Sequence, residues 1–126
     1  IANEYGRETV ASYYGDTKDD IRQSIVDDFM DRDSDLRFFV GNPKTGGYGL
    51  TLTCSHTVVY YSNDYSLEVR MQSEDRAHRI GQEDKVTYID LIAEGTIDEK
   101  IVKALNSKID LASQVMGEDP KKILFG

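Results

Sequence analysis

The chain has 126 residues, a single cysteine and a formal charge of −8, and a domain of that length buries roughly two-thirds of the surface its unfolded chain exposes. Cys54 by itself permits no internal disulfide and no paired-thiol metal site, which points to an intracellular setting. No apolar run approaches the about 20 residues that span a bilayer, no signal-peptide order opens the chain, and the acidic balance excludes coating of nucleic acid by bulk electrostatics. Any DNA contact must be local. Between Arg70 and Lys85, four basic residues (Arg70, Arg76, Arg79, Lys85) offset four acidic ones (Glu74, Asp75, Glu83, Asp84), a neutral stretch in an acidic chain.

Ile21, Ile25 and Phe29 recur at i, i+4, i+8 and predict a helix after Thr17, whose hydroxyl is placed to cap the first turn. Three runs rich in β-branched and aromatic residues follow: Leu36 to Val40, Thr57 to Tyr61 and Val86 to Ile92. The first two are nearly continuously apolar, as strands covered on both faces are. Between the second and third, Glu68 to His78 has helical composition, with Ser66 as its cap. A last helix opens at Thr96, where Thr96 and Glu99 have capping-box spacing. Its apolar stripe (Ile97, Ile101, Leu105, Ile109, Ala112, Met116) runs to Gly117. With only Pro43 and Pro120 and no repeat or low-complexity segment, nothing divides the chain into two domains. Strands alternating with helices imply an α/β fold with a mainly parallel sheet, whose ligands gather at the carboxyl ends of strands.

Two segments could carry chemistry. In Gly41-Asn-Pro-Lys-Thr-Gly-Gly-Tyr-Gly-Leu-Thr-Leu52 a strand runs into a loop with Gly46, Gly47 and Gly49, and glycines let backbone amides approach a phosphate. A Walker A loop is excluded, because Tyr48 stands after Gly47 where that motif needs Lys and then Ser or Thr. On its own the loop also reads as a tight turn. In Gln72-Ser-Glu-Asp-Arg-Ala-His-Arg-Ile-Gly-Gln82, the residues Gln72, Arg76 and Arg79 fall at i, i+4, i+7 and would share one helix face. Planar guanidinium donors suit the charge that grows on a transferring γ-phosphoryl group, and Gln can orient water. The same spacing fits an exposed helix laced with ion pairs, Arg70 with Glu74 and Asp75 with Arg79. His78 and His56 have no partner that would make them acid–base groups, His56 and Cys54 are too few ligands for zinc, and no metal site is expected. The abundant Asp and Glu read as solvated surface.

Taken together, the two segments resemble motifs V and VI of the Swi/Snf-type superfamily 2 helicase-like ATPases. Lys44-Thr-Gly-Gly-Tyr-Gly-Leu-Thr-Leu52 looks like motif V, and Asp75-Arg-Ala-His-Arg-Ile-Gly-Gln82 is close to a verbatim motif VI. Similarity extends from Tyr14-Gly15 with Arg22, through Thr57-Val-Val-Tyr-Tyr61, to Val86-Thr-Tyr-Ile-Asp-Leu-Ile92 and Thr96-Ile-Asp-Glu-Lys-Ile101, over nearly the whole chain. Asp64-Tyr-Ser-Leu67 departs from the Asp-Trp-Asn-Pro string usual in chromatin-remodelling members, and with its short loops the chain looks like compact bacterial or phage-encoded relatives.

The resemblance implies a three-layer sandwich, the second RecA-like lobe of a P-loop NTPase, over residues 1–126 and truncated at its N-terminus. Motif V would fall at about 44–52, motif VI at about 72–82 and a C-terminal helix from 97. It implies a motor that hydrolyses ATP and translocates along double-stranded DNA. Arg76 and Arg79 would be arginine fingers and Gln72 a γ-phosphate sensor, with Gly47 and Gly49 beside the nucleotide. Lys44, Thr45, Gly46, Gly47 and Tyr65 would face DNA. The Walker A lysine and the Asp-Glu-x-His box have no counterpart, so ATP and Mg2+ would be held mainly by an N-terminal lobe and the fragment alone would be inactive. The expected partners are that lobe, double-stranded DNA and ATP, with no membrane; the expected state is a monomer, cytoplasmic and DNA-associated. The competing reading is a stand-alone adaptor that binds protein or nucleic acid without catalysis.

Overall fold

The computed structural model describes residues 1–45, 50–79 and 84–117, with the backbone alone at Met116. Gly46, Gly47, Tyr48 and Gly49 of the first motif, and Ile80, Gly81 and Gln82 of the second, lie outside the described residues. In chain order the elements are α1 (Ala2–Tyr5), β1 (Val10–Tyr13), α2 (Asp19–Met30), β2 (Phe38–Gly41), β3 (Thr57–Tyr60), α3 (Leu67–Ala77), β4 (Thr87–Asp90) and α4 (Ile97–Met116). All strand pairing is parallel: Val10 to Tyr13 of β1 against Phe38 to Gly41 of β2, and Thr57 to Tyr60 of β3 against Thr87 to Asp90 of β4. Among the described residues, the expected sheet is represented by these two ladders.

β1 is a strand that the pattern of Val10-Ala-Ser-Tyr13 does not announce. Pairing with β2 makes it one, helped by the Arg37 amide donating to the Thr9 carbonyl at 2.8 Å. The ladder is held from above by aromatic contacts, with the Phe39 ring 5.4 Å from both Tyr13 and Phe29 of α2. α2 starts later than expected. Its first residue is Asp19, its N-cap is Lys18, and no side chain caps it. The Thr17 hydroxyl instead accepts from the Tyr14 amide at 3.0 Å, closing the turn that leads out of β1. Arg22 ties the same turn to α2, donating to the Gly15 carbonyl at 2.7 Å.

The second ladder is covered on one face, not on both. Val59 and its register partner Ile89 are 54% and 42% exposed. On the opposite face, the Tyr60 hydroxyl lies 2.7 Å from the Ser73 hydroxyl and the Tyr88 hydroxyl donates to the Glu74 carbonyl, both on α3. An unbroken apolar run does not say how many faces find a partner.

α3 begins as Ser66 predicts, its hydroxyl accepting from the Val69 amide. α4 runs from Ile97 to Met116 and ends at Gly117, whose φ of 64° is the left-handed conformation that glycine adopts at least cost. Its capping box is altered. Thr96 accepts from the Asp98 amide, and Glu99 reaches past Thr96 to the Gly95 amide at 2.9 Å. Gly95 has φ 73°, so the chain turns there, and the Thr96 amide is already bonded to the Ala93 carbonyl. Among the described residues the stripe is buried at Ile101 and Leu105, and Ile97 is exposed.

Leu105 is 3% exposed and Leu111, on the same helix, 60%. Leu105→Ala is expected to destabilise the chain by roughly 2 to 5 kcal/mol through lost burial and a residual cavity. Leu111→Ala should stay within about 0.5 kcal/mol. Urea unfolding of the two variants checks both.

Candidate functional site

Of the predicted site residues, Gln72 and Arg76 lie on α3 and Arg79 just beyond its end. Gln72 and Arg76 lie one helical turn apart. The Gln72 amide nitrogen donates to Glu68 at 3.0 Å. The helix stops at Ala77 and His78 is extended, so Arg79 does not continue the helix face as its i+7 spacing suggested. Contacts to a distant loop place it instead: Nη1 donates to the Thr51 hydroxyl at 2.8 Å and Nη2 to the Leu50 carbonyl at 3.3 Å. The Leu52 amide bonds the Arg76 carbonyl at 2.7 Å, so segment 50–52 is stitched to the end of α3. The Asp75–Arg79 ion pair expected from spacing is present but long, at 3.8 Å.

Arg76 differs from Arg79. It is half-buried in the last turn of α3, and among the described residues its guanidinium has neither a hydrogen-bond acceptor nor a carboxylate partner. Burial pulls its pKa below arginine's ordinary value, with the Tyr13 and Tyr60 phenols acting in the opposite sense. A partly desolvated cation without a counter-ion is a place where an incoming anion gains more than it does in water.

A few residues upstream lies a charge cluster that sequence reasoning missed. Arg70 donates from Nη1 and Nη2 to the two Asp90 carboxylate oxygens at 2.5 and 3.2 Å, from Nη1 also to Asn63 at 2.8 Å, and from Nε to Glu74 at 2.7 Å. Its guanidinium carbon sits 3.7 Å over the Tyr60 ring. Arg70 and Glu74 side chains are only 10% and 11% exposed, so Glu74 is not the solvated carboxylate that composition suggested. The helical half of the cluster was legible as an i, i+4 pair. Asp90 and Asn63 were not, because strand pairing brings them there. Burial pushes the Tyr60 phenol up to about 12. It also acts to lower the pKa of Arg70, but the Asp90 and Glu74 hydrogen bonds outweigh it and hold the group above its ordinary value.

At the carboxyl ends of β1, β2 and β3 a cleft of about 430 Å3 is lined by, among others, Tyr14, Asn42, Lys44, Ser62, Asn63 and Arg70. This is the edge where α/β sheets take ligands. Lys44 stands exposed in the turn after β2, its ammonium 2.8 Å from the Asp64 carboxylate across the cleft mouth. That hydrogen bond, with another from the Ser66 amide, holds Asp64 below its usual range. Thr45 closes the turn by donating its amide to the Asn42 carbonyl at 2.9 Å. Tyr65 is 46% exposed, and its carbonyl accepts from Lys108 of α4 at 2.7 Å.

The family model described as the helicase conserved C-terminal domain matches residues 2–81, which hold α1 through α3 and both arginines of the site. The chain belongs to the helicase C-terminal domain family. Its relatives are Swi/Snf-type ATPases. ATP-dependent helicase fft2 of Schizosaccharomyces pombe is 39% identical over 111 residues, 86% of this chain and 9% of that protein. Chromatin-remodeling ATPase INO80 of Homo sapiens is 36% identical over 112 residues, 89% of this chain and 7% of that protein. The chain thus spans a tenth or less of the length of these relatives. The crystal structure of the C-terminal part of the Fun30 ATPase domain superposes with TM-score 0.69 at 32% identity, covering 77% of this chain and 31% of that one. The helicase C-terminal domain therefore has the fold of the second RecA-like lobe. These relatives are eukaryotic, and the likeness to bacterial or phage members finds no support in them. Short loops and the single departure at Asp64-Tyr-Ser-Leu67 do not mark a lineage.

In this helicase C-terminal domain the Asp90 carboxyl is held below the usual carboxylate range: burial acts to raise it, and hydrogen bonds from Arg70 and Asn63 outweigh that. A depressed carboxylate contributes stability that is present above its unfolded value of about 3.9 and lost as pH falls through the folded value. Asp90→Asn removes that contribution. The variant should start less stable at neutral pH and lose less of its remaining stability than the parent chain between about pH 5 and about pH 3, read by thermal unfolding.

Proposed function

We propose that the chain is the second motor lobe of a DNA-dependent ATPase that moves along double-stranded DNA, with Arg76 and Arg79 as arginine fingers toward an ATP held mainly by the first lobe. The observation that carries this reading is the Arg76 guanidinium, half-buried and without an anionic partner among the described residues. A cation in that state fits the charge that develops on a γ-phosphoryl group in transfer. ATP would bring Mg2+ held by the first lobe, which offsets charge on the phosphates; this lobe supplies guanidinium donors and Gln72 as sensor. Arg79, anchored on Thr51 and Leu50, would couple the nucleotide to the loop that continues from Lys44 and Thr45. Gly47 and Gly49 of that loop belong to the same proposed nucleotide contact.

The proposed DNA grip is Lys44, Thr45, Gly46, Gly47 and Tyr65. Lys44 and Tyr65 are exposed at the carboxyl ends of the strands, where backbone amides, hydroxyls and a single ammonium can contact phosphates without reading bases. Opening and closing of the two lobes with the nucleotide state would step them along the duplex. The domain 1–126 would act as one unit, intracellular and DNA-associated.

In the full-length parent, Arg76→Ala should leave ATP binding intact and reduce DNA-stimulated hydrolysis by about 10³-fold or more, the range of a lost arginine finger. Undiminished turnover rejects the assignment. Lys44→Ala should weaken duplex binding alike on all sequences and reduce the dependence of log affinity on log salt by about 1, as loss of one phosphate contact does. A titration at several salt concentrations measures it.

A further inference from the structure

We propose that Arg70 is a positioning residue for hydrolysis: by clamping α3 to the carboxyl ends of β3 and β4 it sets where the Arg76 guanidinium emerges. The inference rests on the reading of Arg76 given above. It starts from a contrast between the two arginines of the site. Arg79 is held by its own contacts, to Thr51 and Leu50. The Arg76 guanidinium has no hydrogen bond or ion pair among the described residues, so its place follows mainly from that of α3, whose end is also bonded to Leu52 through the Arg76 carbonyl.

The apolar contacts under α3, at Met71 and Ala77, are non-directional and specify a helix's exact position less sharply than hydrogen bonds do. The bonds made by Arg70 are directional. They reach three separate parts of the fold: Asp90 at the end of β4, Asn63 in the segment after β3, and Glu74 one turn along α3. The Tyr60 ring closes the remaining side at 3.7 Å. Ser73, between Arg70 and Arg76, donates its one hydroxyl proton to the Arg70 carbonyl at 2.7 Å and so accepts from the Tyr60 hydroxyl, which carries the clamp further along the helix. A buried ionic cluster of this kind is often no more stabilising than apolar packing of equal volume, and what it adds is a single arrangement. Arg76 follows six residues after Arg70, about 9 Å along the axis, close enough for a small rotation at one to displace the other. A misplacement of about 1 Å at a reacting group can cost about 10²-fold in rate.

The test is a double-mutant cycle in the full-length parent, read by DNA-stimulated turnover, KM for ATP and thermal unfolding. Arg70→Gln is expected to lower kcat by about 10- to 100-fold with KM changed less than about threefold. Placed on Arg76→Ala it should lower single-turnover hydrolysis no further, although the loss in unfolding temperature is the same in both backgrounds. Arg70→Lys should not restore turnover, because an ammonium cannot make the bidentate and stacked contacts. Asn63→Ala removes one contact and leaves the ion pairs, and should reproduce the kcat effect at a few-fold should Arg70→Gln not fold. An equal fall in turnover on both backgrounds, or normal turnover in Asn63→Ala and Arg70→Gln, overturns the positioning role alone. Normal turnover in Arg76→Ala overturns the functional reading and this inference with it.

Discussion

The contact on which the lobe's geometry depends is the bond pair between Arg70 and Asp90. It joins a helix to the carboxyl end of a strand that is twenty positions further along the chain, and it does so where both groups are mostly out of water. Low exposure makes each bond stronger and also makes an unpaired member costly. Most of the cluster is satisfied: Glu74 and Asn63 take two more of the five guanidinium N–H donors, and Tyr60 covers its face. Removing Arg70 leaves two mostly buried carboxylates without their cation, and the bonds it makes tie β3, β4 and α3 into one unit.

That unit places the chemistry of the lobe at one edge. Arg76 lies in the last turn of α3, half-buried and with no acceptor for its guanidinium among the described residues, while segment 50–52 is bonded to the same helix end through Leu52 and Arg79. On the strand ends above lie Lys44 and Asp64, facing each other over an open cleft. The two motifs, well separated in sequence, are thus mechanically connected: Arg79 holds the end of one, and Lys44 stands at the start of the same stretch. This arrangement agrees with membership in the helicase C-terminal domain family, whose members named above are ATPases or ATP-dependent helicases by title.

The acidic character of the chain takes two forms. Asp19, Asp31 and Asp33 are among the carboxylates that remain at the surface; that of Asp31 accepts from the Asp33 amide and that of Asp19 pairs with Arg22. Glu74 and Asp90 do not remain there. They are drawn inward by Arg70, and composition alone could not separate them from the others.

Much of the local structure was legible before the fold. Ser66 and Thr96 mark helix starts and Gly117 a helix end, because capping bonds join residues two to four apart and need no tertiary partner. The Arg70–Glu74 and Asp75–Arg79 spacings and the order of the two motifs were legible for the same reason, and they identified the family. Where the local reading failed, a partner distant in sequence had intervened. Thr17 gave its hydroxyl to the turn after β1, β1 itself exists through pairing with β2, and the helix broke at Ala77 so that Arg79 could reach Thr51. The sequence by itself picked out the two motifs that mark the family and placed Gln72 and Arg76 on one helix. Only the tertiary structure decided that the Arg76 guanidinium stands without a partner among the described residues while Arg79 and Arg70 are held, because the choice of acceptor depends on which strand ends and loops lie alongside, and spacing along one chain carries no information about that.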